Sequence, residues 1–391
     1  MRPSALLCLA AAATLAAGEP PPQLAPWRER MQPITPQGYI ARHAARPPVI
    51  DGRLDDPAWA EADWTGDFRD IEGDRRPRPR FRTRAKILWD ETHLYIGAQL
   101  EEPHVWGKLT AHDSVIFQDP DFEVFIDPDG DTHEYFEFEL NALNTGWDLF
   151  LPKPYLDGGK ARNEWDIPGL RSAVHVDGTI NDPRDTDHGW TLEIAFPWAA
   201  FRTERGAVRP PMEDDIWRMN FSRVEWRINV KEGGYEKVPA TPEDNWVWSP
   251  QGVIDMHRPE MWGLVRFSRR APGRDHPPPV LAGKAARDLA LDVYHAQREF
   301  RQRHRRWAAS LEELGWTAPA GAADLCSVGE VENLRERSVD GRHRPGVEAP
   351  EAPIQAGLVD GTDVQTEGDG IAGESSLGCR DADIARVERP A

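Results

Sequence analysis

Two short runs place carboxylates and rings at alternate positions, Phe122 to Asp127 and Glu134 to Asn141. In a strand, successive side chains point to opposite faces. Phe122, Val124 and Ile126 therefore share one face, and Phe136, Phe138 and Leu140 share one in the next strand. The other side carries Glu123, Phe125 and Asp127, then Tyr135, Glu137, Glu139 and Asn141. One face builds a core, and the other displays acids and aromatic rings to water or to a ligand. Two chemistries suit such a face. Carboxylates can accept hydrogen bonds from ligand hydroxyls while rings cover its apolar surfaces. Alternatively, two of Glu123, Glu137 and Glu139 could supply the acid and base that hydrolysis of a glycosidic bond requires. Nothing in the sequence pairs a glutamate in an apolar pocket with a freer one, so binding is the better-supported chemistry.

Asp127, Asp129, Gly130 and Asp131 offer the clustered oxygens that a hard cation takes. The twelfth position of an EF-hand loop would fall on Phe138, which excludes that motif, and a Pro-Asp-Gly hairpin turn explains the same residues equally well. His112, His133, His175, His188 and His257 are scattered along the chain and give weak support for a histidine metal site. No Ser, His, Asp order, HExxH helix or glycine-rich phosphate loop occurs. A net charge of −19 and a pI near 5.1 repel phosphate backbones and argue against nucleic acid. The one dense basic run, Arg301, Arg303, Arg305 and Arg306, reads as the solvated face of a helix.

The elements that must position these groups are many short strands. Thr83 to Trp89 and His93 to Leu100 flank a turn at Asp90, Glu91 and Thr92 and form a hairpin. Further strand candidates are Trp147 to Leu151, Arg171 to Val176, Trp190 to Phe196, Ile216 to Trp226, Trp246 to Trp248 and Trp262 to Phe267. The expected fold is mainly β, an antiparallel β-sandwich of jelly-roll type with a C-terminal amphipathic helix and a disordered tail. Residues 1–17 read as a secretory signal, an apolar stretch too short to span a bilayer. Residues 18–37 read as a proline-rich, extended lead-in, and 38–270 as the sandwich. Leu289, Val293, Ala296, Phe300, Trp307, Leu311 and Leu314 recur at helical spacing, so Lys284 to Leu314 reads as one amphipathic helix within a 281–316 segment that packs on the sandwich. Residues 317–391 contain no aromatic residue, and their acidic, Gly- and Pro-rich composition predicts disorder. Of three cysteines, Cys8 falls in the leader and Cys326 and Cys379 in the tail, so the fold does not rest on disulfides.

The run Val49, Ile50, Asp51, Gly52, Arg53, Leu54, Asp55, Asp56, Pro57, Ala58, Trp59 combines a strand, an Asp-Gly turn and an anchoring tryptophan. With Ile87 to Asp90, Leu94 to Ile96, Glu123 to Asp127 and Gly189 to Glu193, it resembles the family 9 carbohydrate-binding modules over roughly residues 45–268. The stretch Trp246 to Pro250, followed by Met256 to Gly263, looks like an exported bacterial subgroup called family 9-like. The resemblance implies a calcium-stabilised β-sandwich that binds the ends of glucan and xylan chains, usually attached to or working beside xylanases. It puts Glu123 on the family's sugar-binding glutamate, Phe117 on the first of two clamping aromatic positions, Glu139 on an arginine position and Met256 near the second clamp. With Asn141, Trp147, Trp248 and His257 these form the candidate binding set, and Trp106 and Trp262 are further platform candidates. Glutamate accepts where arginine only donates, so the hydrogen-bond pattern must differ from the family's. Calcium, implied by the resemblance, has Asp127, Asp129 and Asp131 as its first candidate ligands. Related sandwiches hold haem through methionine and histidine, but adjacent residues of an extended segment face opposite ways, so Met256 and His257 are not expected to ligate one iron. The sequence thus implies an exported, periplasmic or extracellular carbohydrate binder without a transmembrane segment, acting beside polysaccharide-degrading enzymes. The alternatives are a glycoside hydrolase and an envelope interaction module that uses the helix and tail.

Overall fold

The computed structural model describes residues 26–316, apart from 232, 272, 275 and 276. The signal expected at 1–17 and the tail expected at 317–391 lie outside the described residues. Sixteen strands are present among them: β1 (Gly38–His43), β2 (Arg69–Asp70), β3 (Thr83–Trp89), β4 (His93–Glu101), β5 (Asp121–Asp127), β6 (Tyr135–Asn141), β7 (Gly146–Leu151), β8 (Arg171–Asp177), β9 (Gly189–Pro197), β10 (Arg202–Thr203), β11 (Gly206–Ala207), β12 (Ile216–Glu225), β13 (Ile228–Lys231), β14 (Gly234–Lys237), β15 (Asp244–Val247) and β16 (Gly263–Ser268). Twelve form one sheet in the order β7-β6-β5-β12-β16-β1-β3-β4-β9-β8, with β15 branching from β12 and β2 from β15.

This sheet curls until its ends face each other. Phe138 of β6 meets Phe196 of β9 edge-on at 5.8 Å between ring centroids, although the two strands lie near opposite ends of the path. Phe136 and Phe201 approach to 5.0 Å. The two layers enclose a core that contains Phe122, Val124, Ile126, Phe136, Phe138 and Leu140, the face that alternation assigns inward. Each such ring or branched side chain contributes about 1.5–3 kcal/mol by leaving water. One departure from the expected antiparallel sheet is β1, which runs parallel to both of its neighbours, β16 and β3.

Three local expectations are corrected. Residues 26–37 are not an extended lead-in: Trp27–Met31 is a helical turn, and the buried Trp27 donates from Nε1 to Asp292 at 2.9 Å. Val49 and Ile50 form no strand, although the Asp51-Gly52 turn is present. Gly52 adopts φ 87°, and a Cβ there would lie 2.5 Å from the Val174 carbonyl carbon, so only glycine fits. After this turn the short helix α1 (Pro57–Ala60) buries Trp59. The C-terminal segment is two helices rather than one, α2 (Lys284–His304) and α3 (Leu311–Leu314). Arg305 takes a left-handed conformation at φ 59° and ends α2. The chain then folds back so that the Gln297 side-chain amide clamps the Ala308 backbone through two hydrogen bonds.

Candidate functional site

The strand pair β5–β6 supplies the floor of a groove. Across the ladder Glu123 stands directly opposite Glu139, and this row continues to Ser222 on β12 and Trp147 on β7. The next row is Asn220, Phe125, Glu137 and Leu149. Two glutamates directly opposed on one face repel each other, and sheets ordinarily avoid that arrangement.

Loops close over this floor. Phe117 comes from the turn Ile116–Gln118, Tyr155 from the turn Tyr155–Asp157, Glu243 and Asn245 from in and just before β15, and Met256 and His257 from the loop before β16. Together with Val224 they surround a cavity of about 230 Å³. The rings of Phe117 and Trp147 lie 6.4 Å apart on one side, and those of Tyr155 and His257 lie 4.4 Å apart. The expectation of a water-facing acidic surface is thereby corrected: Glu123, Glu137 and Glu139 are at most 4 % exposed and line this groove.

Burial dominates the electrostatics. It pushes the Glu123 carboxyl up to about 7, with the charge of Glu243 acting in the same direction. Glu137 and Glu139 are held well above the usual carboxylate range, first by burial and then by the charge of Glu123. A 3.1 Å hydrogen bond donated by the Phe117 backbone N–H to Glu139 Oε2 opposes that rise only in part. Burial also lowers His257 to about 4, so the ring is neutral near pH 7 and its 4.0 Å approach to Glu137 is not an ion pair. His257 Nδ1 instead meets the Tyr135 hydroxyl at 2.9 Å. Three buried polar atoms around the groove, Glu123 Oε2, Glu137 Oε2 and Trp147 Nε1, have no hydrogen-bond partner among the described residues.

Of the candidate binding residues, Phe117, Glu123, Glu139, Trp147, Met256 and His257 all line this one groove. Met256 and His257 reach it together, against the argument from alternation, because the chain turns there and the Arg258 N–H closes onto the Met256 carbonyl at 2.9 Å. Asn141 and Trp248 do not line it. Asn141 spends its amide on structure, donating to Leu109 O and Asp119 and accepting from the Leu143 and Thr145 N–H groups. Trp248 points into the core beside Tyr39 and Phe221, over Gly263, where a Cβ would lie 2.4 Å from its ring. Trp106 packs with Val224, Trp226 and Tyr235, and Trp262 lies buried beneath Phe125 and Tyr135. Sequence reasoning left Phe125, Glu137, Leu149, Val224, Tyr155, Glu243 and Asn245 out of the binding set. Strand alternation marks the first three, whereas Tyr155, Glu243 and Asn245 carry no sequence signal.

The end of β5 and the turn that follows hold Asp127, Asp129 and Asp131 with carboxylate oxygens within 4.8 Å of one another. Asp127 is fully buried and accepts from the Gly130 and Thr132 N–H groups at 2.9 and 3.0 Å. Burial and the neighbouring carboxylates raise Asp127 and Asp129 above the ordinary range, a repulsion that a divalent cation relieves. The donor set therefore fits calcium. Arg205, which pairs with Asp131 at 2.8 Å and with Asp129 at 3.4 Å, is the cation that calcium would have to displace.

Residues 50–209 match the model of the family described as carbohydrate family 9 binding domain-like. No curated protein matches the chain. Among solved structures, a family 9 carbohydrate binding module from Caldicellulosiruptor kristjanssonii in complex with cellotriose is 15 % identical, with 62 % of this chain and 98 % of that chain covered and a TM-score of 0.39. The same organism's module in complex with glucose is also 15 % identical, covering 61 % of this chain and all of that one at a TM-score of 0.39.

Proposed function

We propose, from the match of residues 50–209 to the carbohydrate family 9 binding domain-like model, that the groove over β5 and β6 binds the end of a saccharide chain. The observation that carries this reading is the convergence of unpartnered buried polar atoms, Glu123 Oε2, Glu137 Oε2 and Trp147 Nε1, between aromatic walls. Leaving such atoms unpaired costs about 1–3 kcal/mol each, and a polyhydroxylated ligand satisfies them. Sugar rings have apolar faces that suit Phe117 and Trp147, and hydroxyl edges that suit the floor. A volume of about 230 Å³ falls below the ~300 Å³ at which small-molecule pockets usually begin. That favours a short terminal portion of a glucan or xylan over a long internal stretch.

The raised carboxyls add a donor. Glu139 occupies the position at which the family resemblance expects arginine. A carboxyl held protonated donates one O–H while still accepting, so it can replace the lost donor in part. This reading makes the protein a binding module rather than a hydrolase. In the same reading, Asp127, Asp129 and Asp131 hold a structural calcium ion. Residues 1–17 direct export, and the bound glycan is presented to polysaccharide-degrading enzymes. No described helix is long and apolar enough to cross a membrane.

Calorimetric titration of the full chain with cellotriose and xylotriose tests the proposal. Binding of at least one of them is expected, weakened at least roughly tenfold by Glu123→Gln, as loss of a hydrogen bond to a charged or partly charged group implies. Absence of binding to both, and to every saccharide on a glycan array, would overturn it. Release of reducing ends that Glu123→Gln abolishes would replace it with a glycosidase.

A further inference from the structure

A second cluster lies on the opposite side of β7 from the groove. His112 and Asp113 from the loop before β5, Asp148 of β7 and Asp166 each bring one ligand atom within 4.8 Å of the others. The His112 Nδ1 lies 3.0 Å from the Gly146 carbonyl oxygen. A carbonyl only accepts, so Nδ1 carries a hydrogen and Nε2 is the atom left to face the carboxylates, donating a proton toward Asp166 at 3.4 Å when no ion is bound and free to ligate one that displaces that proton. From Nε2 the nearest oxygens are Asp148 Oδ1 at 3.3 Å, Asp166 Oδ1 at 3.4 Å and Asp113 Oδ1 at 3.5 Å. With metal–ligand bonds of about 2.0–2.1 Å, the edge of a tetrahedron is about 3.3 Å, so these separations match three of the six edges around a four-coordinate ion, and the remaining three lie within 4.8 Å.

Asp148 supplies an independent sign. Its side chain is 3 % exposed, and Oδ2 accepts from the Ile167 N–H at 2.5 Å. Oδ1 is buried and makes no hydrogen bond of its own; it faces His112 Nε2 at 3.3 Å, a contact within the cluster. No lysine or arginine pairs with any of the three carboxylates among the described residues, unlike the acidic turn that Arg205 serves. A proton on His112 would offset one of three negative charges, whereas a divalent ion offsets two.

We propose that His112, Asp113, Asp148 and Asp166 bind a first-row divalent metal ion, best matched by zinc. One imidazole and three carboxylates form a mixed donor set that suits zinc better than calcium, and four protein ligands make the site structural. The ion ties the loop that leads into Phe117 to the strand that carries Trp147, and so braces the groove's aromatic wall from behind. Zinc chloride titrated into the full chain under excess calcium chloride tests this. The expected result is one zinc ion per chain, with affinity falling at least roughly tenfold in both His112→Ala and Asp166→Asn. These side chains are 56 % and 71 % exposed, so neither substitution endangers folding. Failure to take up zinc, or unchanged zinc affinity in both variants, would overturn the proposal.

Discussion

Two buried carboxylate sites on the same sheet are built in opposite ways. Glu193 on β9 is fully buried, and its oxygens take hydrogen bonds from Trp59 Nε1 at 2.6 Å and from the Asp51 and Gly52 backbone N–H groups, both at 2.8 Å. Burial still raises its pKa, but all three donors oppose the rise. Glu123 on β5 is nearly as deep, faces another glutamate, and keeps an oxygen without a partner. A carboxylate saturated by its own chain holds the fold together. One left short beside a cavity is arranged for something outside the chain.

The largest test of that contrast is Glu193→Gln. An amide cannot accept from all three donors at once, so unfolding in urea should show a loss of about 3 kcal/mol, whereas Glu123→Gln should cost little at pH 8. Equal losses would erase the distinction. The second test is pH. Glu123 has a folded pKa of about 7 against a reference of 4.5, so its stabilising contribution is complete below about pH 4.5 and is lost as pH rises through 7. The Glu123 share is about 3 kcal/mol, and the raised Glu137 and Glu139 act in the same direction. Urea midpoints should therefore fall between pH 4.5 and 8, and Glu123→Gln should flatten the curve. The smallest effect concerns the third carboxylate group. Chelation of calcium from Asp127, Asp129 and Asp131 should lower the melting temperature by a few degrees, and an unchanged melt would leave Arg205 and Arg218 as the counter-charges.

Alternation made the floor of the groove legible in sequence, because period two assigns Phe122 and Phe138 to one face and Glu123 and Glu139 to the other whatever the rest of the chain does. It could not separate Trp147 from Trp248. Both sit in strand-like runs, and only the packing of β12 against β16 over Gly263 turns Trp248 inward. Asn141 shares the face of Glu139, yet the turn that directly follows it and the remote loop of Leu109 and Asp119 consume its amide. The His112 cluster was equally hidden, since its ligands come from three separated segments and the histidines look scattered on paper. The break at Arg305 leaves no mark in the pattern, because the apolar spacing continues through Trp307 and Leu311 after the helix has ended. A lone six-residue strand such as β1 likewise contains nothing that announces parallel pairing.

The turn that carries Tyr155 is held from far along the chain. Tyr294 donates its hydroxyl proton to Asp157 at 2.7 Å, and Arg298 bonds both Asp157 and the Leu156 carbonyl. These anchors sit on α2, after the last strand of the sheet has closed and well beyond the residues that match the family model. The length of polypeptide needed to shape the recognition cleft therefore exceeds the length needed to complete the sandwich. Changes in the C-terminal extension reach the Tyr155 turn while every β-ladder stays as it is.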